Sequence, residues 1–431
     1  MDRIDAAIRQ GLQGQMKAWE RIVLALAAFL IAVLLCMKKQ LLLAPQSGVH
    51  LLTAVFLSLP VLLVMLFHTG NRGRLWELGV AAGVVLALLL RIAFLDRDSG
   101  DFTFYLRDWL ARLRGQSFSA SMKDTVGEYH VLYQYILFLI TRLPVPDLYA
   151  VKGISFLGDA CLALAGARLA KRDDRALLLL LFLPSACLNG GMFAQCDSLY
   201  TAALLWGLVL CLEGRSAGGF ACFALGLCFK LQAVFLLPIC LVLWYREKAR
   251  LSDVGVFLLT MLCIFLPALL GGKPASQLVS IYLGQTGIYT GLNYGAANFW
   301  ALFETGGLDV YAYGLFGMAL GLLSCVLLTL NGIHREEDGD TQLLGLSLLY
   351  PLCAVFFLPR MHERYFYMVE MLAWILTFTD RRYLPAAIAV SLALLCSLWE
   401  SFLPLWACAL LMLFALGWAL GLYHKTESDG K

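Results

Sequence analysis

Residues 85–95 read VLALLLRIAFL, and residues 96–106 read DRDSGDFTFYL. The first stretch is nearly pure hydrocarbon. The second places three carboxylates, Asp96, Asp98 and Asp101, within six positions, and the apolar pattern does not return in force until Val131. The apolar run 76–95 has about the 20 residues that a helix needs to cross a bilayer, so the chain leaves the hydrocarbon at Asp96. The polar stretch that begins there is either an ordinary connection or the place where chemistry happens.

Composition supports the membrane setting. Of 431 residues, 61% are hydrophobic and 15% charged, against roughly 25% charged in a soluble domain. Long apolar runs recur along the whole chain, which places it in a bilayer. The 33 Lys and Arg against 30 Asp and Glu leave a net charge of +3, too small to argue for nucleic acid. The first apolar run is preceded by nineteen residues and followed by Lys38-Lys39-Gln40, not by a small-residue cleavage site, so no cleavable signal peptide is expected. Within 1–19, Ile4, Ile8, Leu12, Met16 and Trp19 fall on one helical stripe, with Arg3, Arg9 and Lys17 elsewhere. That is the pattern of an amphipathic helix on the cytoplasmic leaflet; a plain polar tail is the alternative. Most of the thirteen cysteines lie inside apolar runs, without C-x-x-C or Cys/His metal spacing. Neither a disulfide framework nor a metal site is expected from them.

The apolar runs, from 20–37 to 403–423, predict an all-α polytopic transmembrane helical bundle of about 12–14 spans. With the N-terminus inside, alternation puts RGR (72–74), KRDDR (171–175), EGR (213–215), REKAR (246–250), HREEDGD (334–340), DRR (380–382) and the HK pair (424–425) on the cytoplasmic side. This obeys the positive-inside rule, with Lys38-Lys39 as the exception. Treating 129–143 as a span would invert every later loop, so it is expected to be an interfacial helix on the outer face. The outer face then carries loops 96–128 and 272–311, with GMFAQCDS (191–198), FKLQ (229–232) and PRMHERYFY (359–367).

Three of these patches carry candidate chemistry. Lys230 and Gln232 sit between two apolar halves, where a lysine costs about 2.5–3.5 kcal/mol on insertion scales. Lys230 either snorkels from a helix end or is held to pair with an anion such as a lipid phosphate. Asp197 and Ser198 suit an N-cap, which leaves Gln195 unexplained, and its amide suits a sugar hydroxyl. Arg360, His362, Glu363 and Arg364 fall within five residues. They are either a solvated loop end or charge-assisted donors to a phosphate, with Glu363 orienting them. Asp159, inside FLGDACLAL, is expected to face the interior in a structural hydrogen bond.

Together these patches resemble the GT-C superfamily of membrane glycosyltransferases, and within it the bacterial mannosyltransferases akin to those of glycosylphosphatidylinositol assembly. The resemblance rests on SGDFTFYLRDW (99–109), YHVLYQY (129–135), GMFAQCDSLY (191–200), LCFKLQAVFLLP (227–238) and PRMHERYFY (359–367), in the family's order. The chain departs from the family's Trp-Gly-Gln at Phe193-Ala194-Gln195, and from its prolines at His130-Val131-Leu132. The resemblance implies a GT-C fold and transfer of a hexose, with mannose favoured. The donor is a polyprenyl-phosphate sugar, and the acceptor hydroxyl belongs to a lipid, glycan or protein on the outer face. It makes Asp101 the catalytic base, with Asp98 and then Asp96 as competitors.

One base and a displaced phosphate imply inversion at the sugar carbon. Lys230, His362 and Arg364 are expected at the donor phosphate. Gln195, Asp197, Gln232 and Glu363 are expected to hold sugar hydroxyls or tune those cations. No cofactor and no divalent metal are expected. The expected organisation is an interfacial helix at 1–19, two additional spans over 20–75, a catalytic membrane core over 76–379, and C-terminal spans with a cytoplasmic tail over 380–431. The resemblance favours a bacterial plasma membrane as the location. The rival functions are a polysaccharide polymerase or ligase using lipid-linked glycans, and a lipid-linked sugar transporter or flippase. The first would be expected to have a basic outer loop, and 272–311 has only Lys273. The second would be expected to show internal repeats.

Overall fold

The computed structural model describes residues 14–43, 50–70, 72–288, 290–303, 305–334, 339–398 and 402–425. Ile4, Ile8 and Leu12 of the amphipathic stripe lie outside them. The described residues are predominantly helical, with one pair of two-residue strands. Eight of its helices are long and apolar enough to cross a membrane: Ala18–Leu43, Arg74–Ile92, Asp147–Leu169, Ser252–Leu270, Val310–His334, Asp340–Phe357, Arg381–Leu398 and Leu405–Lys425. A further pair, Asp174–Phe182 and Pro184–Met192, is bent by 58°. Pro184 opens the second piece, because its missing N–H breaks the first helix and suits the first turn of the next.

The other apolar runs are shorter than the expected spans. Leu51–Phe67, Asp197–Leu212 and Ser216–Phe229 have 10–17 residues. The run 232–245 is not one helix: a 3₁₀ turn covers Leu231–Phe235, and an α-helix covers only Ile239–Tyr245, after Pro238. Within 129–143 the helix Val131–Ile140 has 10 residues, too few to cross a bilayer. The expected loop 96–128 is largely helical, with a π-turn over Phe102–Leu106 and α-helices Arg107–Leu113 and Phe118–Lys123. Phe102, Leu106, Leu110 and Leu113 are buried at helical spacing while Phe104 and Tyr105 are exposed. That is the face pattern of a helix lying along an interface.

The chain forms two compact units, Met1–Gln116 with Tyr135–Ala202, and Ser117–Gln134 with Ala203–Lys431. In the first, Arg91 and Asp159 make a buried ion pair at 2.7 Å. Arg91 also donates to the carbonyls of Ala87 and Leu181. The pair ties Arg74–Ile92 and Asp147–Leu169 to the bent hairpin, and breaking it costs about 3–5 kcal/mol.

At one end of this unit Lys39 lies 3.8 Å from Asp96. This gives the Lys38-Lys39 exception a local counter-charge. At the other end Arg74 pairs with Glu20, Arg72 with Asp173, and Trp76 donates to Asp174. The RGR and KRDDR loops therefore share an end. In the second unit Arg246 donates to the Gly332 carbonyl, and Trp418 donates to that of Arg382.

Lys152 is buried and donates to three carbonyls past the helix Arg74–Ile92: Phe94 at 2.6 Å, Leu95 at 3.2 Å and Arg97 at 2.7 Å. It holds the turn after the helix and the start of the carboxylate stretch. Lys152→Met keeps the shape and removes the donors, so it is expected to cost about 3 kcal/mol of stability. Thermal unfolding of the detergent-purified protein checks this, and a loss below about 1 kcal/mol would show the carbonyls satisfied by other means.

Candidate functional site

The first unit separates the three clustered carboxylates. Asp98 is exposed and pairs with Arg107 at 2.6 Å. Asp96 is exposed beside Lys39. Asp101 is half-buried at the head of the π-turn, and its Oδ2 accepts from the buried Gln195 amide at 2.5 Å. π-Turns inside helices occur frequently at functional sites. Ser99 clasps the two segments, since its Oγ donates to the Phe193 carbonyl at 2.8 Å and accepts from the Phe102 N–H at 3.1 Å.

Gln195 is positioned from below by the helix Asp147–Leu169. Ser155 Oγ donates to the Gln195 carbonyl at 2.6 Å, and the Gln195 N–H donates to the Asn189 carbonyl at 2.9 Å. A second π-turn, Leu188–Met192, precedes it. Gly191 lies against the Arg91 backbone, where a Cβ would sit 3.4 Å from Cα. Ala194 has φ of +54°, in the left-handed region that favours glycine. Holding a non-glycine residue there costs about 1–2 kcal/mol.

Asp197 is fully buried and accepts from Asn189 Nδ2 at 3.0 Å. The structure thus brings Asp101 and Gln195 together, while the Asp197 carboxylate holds the preceding turn. Asp159, expected in a structural hydrogen bond, is bound to Arg91.

In the second unit, Lys230 sits where the helix Ser216–Phe229 ends and the backbone turns extended, at φ −152° and ψ 139°. Its side chain is buried, with Nζ 5.5 Å from the ring centroids of both Tyr129 and Tyr365. Two aromatic faces hold the ammonium electrostatically. This is a cation fixed at a helix break, not one snorkelling from a helix end.

Nearby, β1 (Asn293–Tyr294) pairs in parallel with β2 (Met361–His362). The His362 ring lies 5.4 Å from the Tyr294 ring and 5.3 Å from that of Tyr365. Glu363 and Arg364 pair at 3.4 Å. Gly295 has φ of +83°, and a Cβ there would come within 3.3 Å of Glu363 Oε2.

An apolar pocket of about 560 Å³ opens beside this cluster. Leu231, Val234, Phe235 and Met318 line it, with Gln232, Arg360 and Tyr365 among its polar residues. Gln232 Oε1 and Arg360 Nε are buried without a hydrogen-bond partner among the described residues. Arg360 also has φ of +63°, unusual for a branchless long side chain and typical of strained functional positions. Sequence reasoning grouped Arg360 with His362, Glu363 and Arg364 without assigning it to the donor phosphate, and its place at the pocket makes it a functional candidate. Sequence reasoning gave Tyr129 and Tyr365 no role: their value lies in flanking Lys230, which no local spacing reveals.

Tyr129 is anchored through its neighbour. His130 stacks on Tyr282 at 4.6 Å and hydrogen-bonds the Leu278 carbonyl at 3.1 Å. Burial pushes the His130 imidazole down to about 4 from its ordinary 6.5, against the Leu278 bond, which favours the proton. The neutral ring is therefore the native form. Stability from His130 is fully present above pH 6.5 and declines as pH falls from 6.5 towards 4, because the unfolded chain takes up the proton first. The loss amounts to roughly 3 kcal/mol. Melting profiles of wild type and His130→Gln across that window check it: the variant's curve is expected to be flatter. Parallel curves would assign the acid sensitivity elsewhere.

Among the described residues no group of three or more His, Cys, Asp or Glu side chains is arranged to hold a metal ion. No protein-family model matches the chain, and no curated protein shows significant similarity to it.

Proposed function

We propose that the chain is an inverting membrane glycosyltransferase. It moves a hexose, mannose by the motif resemblance, from a polyprenyl-phosphate donor to an acceptor hydroxyl at the outer membrane face. The observation that carries this reading is the placement of Asp101. Asp96 and Asp98 are exposed beside cations, whereas Asp101 is half-buried at a π-turn and gripped by the Gln195 amide. The Gln195 amide donates to the carboxylate and orients it.

In the proposed reaction Asp101 accepts the acceptor hydroxyl's proton as that oxygen attacks the anomeric carbon. The C–O bond to phosphate breaks, and negative charge grows on the departing phosphate. Lys230, His362, Arg364 and Arg360 supply fixed donors for that charge in a water-poor setting. The apolar pocket beside Gln232 and Arg360 suits an isoprenoid chain. Glu363 orients Arg364, and Gln195 orients Asp101. The positive-inside rule assigns the basic loops to the cytoplasmic side, and the motif resemblance favours a bacterial plasma membrane.

The test is transfer of radiolabelled sugar from polyprenyl-phosphate donors by the purified protein in detergent, with membrane extract as acceptor. Label incorporation is expected with polyprenyl-phosphate mannose. Failure with every hexose donor would overturn the reading. The broken helices at Pro184 and Lys230 also occur in transporters. Movement of a lipid-linked sugar across proteoliposomes without transfer would select that function.

A further inference from the structure

The end of the first unit that carries Arg72 holds a pocket the proposed transfer chemistry does not use. It measures about 500 Å³ and is lined by Arg72, Leu75, Trp76, Gly79, Val80 and Leu178, together with Gly73. Its walls come from the helices Arg74–Ile92 and Asp174–Phe182. The helices meet closely at Gly83, where a Cβ would lie 2.8 Å from Leu178 Cδ2. At Gly79, one turn nearer Arg72, a Cβ would meet nothing within 4 Å. The result is a wedge, closed at Gly83 and open at Gly79.

Its polar end is basic. The Arg72 guanidinium lies 5.2 Å from the Trp76 ring centroid and 3.3 Å from Asp173 Oδ1. The Trp76 indole is fixed by its hydrogen bond to Asp174 Oδ2 at 3.0 Å. Asp173 does not depend on Arg72, because Arg175 grips it through Nε at 3.0 Å and Nη2 at 2.5 Å. Arg72 can therefore turn to another anion without stranding a buried carboxylate. Lys171 and Arg172 are exposed on left-handed backbone in the same loop as Asp173. Glu77 is engaged by His68 and Glu20 by Arg74, so these two carboxylates do not offset that charge. The walls, by contrast, are hydrocarbon on a helix apolar enough to cross a membrane.

We propose that this pocket binds one anionic phospholipid. The phosphate sits against Arg72 and Trp76, and an acyl chain lies along Gly79 between Leu75, Val80 and Leu178. Basic side chains beside an interfacial tryptophan at the end of a span match the headgroup region of an anionic leaflet. A soluble anion would have no use for the apolar wedge. The inference is independent of the transferase reading.

The test is photo-crosslinking of detergent-purified full-length protein with photoactivatable phosphatidylglycerol or chain-matched phosphatidylcholine, followed by peptide mapping. Wild type is expected to label 72–80 and 174–182, with about a fivefold preference for phosphatidylglycerol, the share of one arginine. Arg72→Gln is expected to keep the lipid and lose the preference. Gly79→Leu, whose Cβ would meet nothing within 4 Å and whose side chain would extend into the pocket, is expected to lose the label. Equal labelling by both lipids in wild type would overturn the proposal, as would label spread over the other basic loops. Displacement by inorganic phosphate alone would reassign the site to a soluble anion and overturn it too.

Discussion

Asp101→Asn is expected to lower turnover of a polyprenyl-phosphate sugar by about a thousandfold, within the range that a positioned general base contributes. The substitution is nearly isosteric. An asparagine carbonyl still accepts from Gln195 Nε2, which now bonds Asp101 at 2.5 Å, so the local fold is retained and melting is expected to be near that of wild type. Binding of the donor is expected to stay intact. Asp98→Asn is expected to leave turnover close to the wild-type level, because its carboxylate is exposed and already matched by Arg107. Near-normal turnover by Asp101→Asn would remove it from the base role and bring Asp98 forward. Gln195→Leu gives an intermediate result if its task is orientation: turnover falls because the carboxylate loses its fixed donor.

Lys230→Met is expected to reduce kcat/KM for the donor by about 10²–10³-fold, the scale of removing one preorganised donor from a developing oxyanion. Donor binding and chemistry are both expected to suffer, since the phosphate is charged before and during the reaction. Lys230→Arg retains charge and can stack between Tyr129 and Tyr365, so partial recovery is expected. His362→Ala is expected to act in the same direction with a smaller effect. The check is the dissociation constant for sugar-free polyprenyl phosphate, measured beside the rates. A weakened constant in Lys230→Met but not in Asp101→Asn separates the phosphate site from the base. An unchanged constant in Lys230→Met would sink the phosphate assignment.

Much of the fold was legible in the sequence because a bilayer imposes a length rule on apolar helices. The runs ending at Leu43 and Ile92, and those after Val310, Asp340 and Leu405, became long helices. The sequence expectation that 129–143 is not a span matches a 10-residue helix. Hydropathy failed where composition and geometry part company. Residues 232–245 are apolar enough to be read as a span, yet Lys230 and Pro238 divide the segment into a turn and a short helix. The loop 96–128 lost its connecting character because Phe102, Leu106, Leu110 and Leu113 bury one helical face.

The local residue types at the candidate site were visible in sequence: a cluster of carboxylates, a lysine amid hydrocarbon, and Arg, His, Glu and Arg at one segment junction. Their partners were not. Asp96, Asp98 and Asp101 are chemically equivalent along the chain, and they differ because Lys39, Arg107 and Gln195 arrive from 57, 9 and 94 positions away. Lys230 becomes a fixed cation because Tyr129 and Tyr365 converge on it from distant segments. Local sequence can specify hydropathy, helix breaks and charge, since each is set by covalent neighbours and solvent. Which carboxylate meets Lys39 or Arg107, and which accepts from Gln195, depends on contacts that exist only after the helices pack.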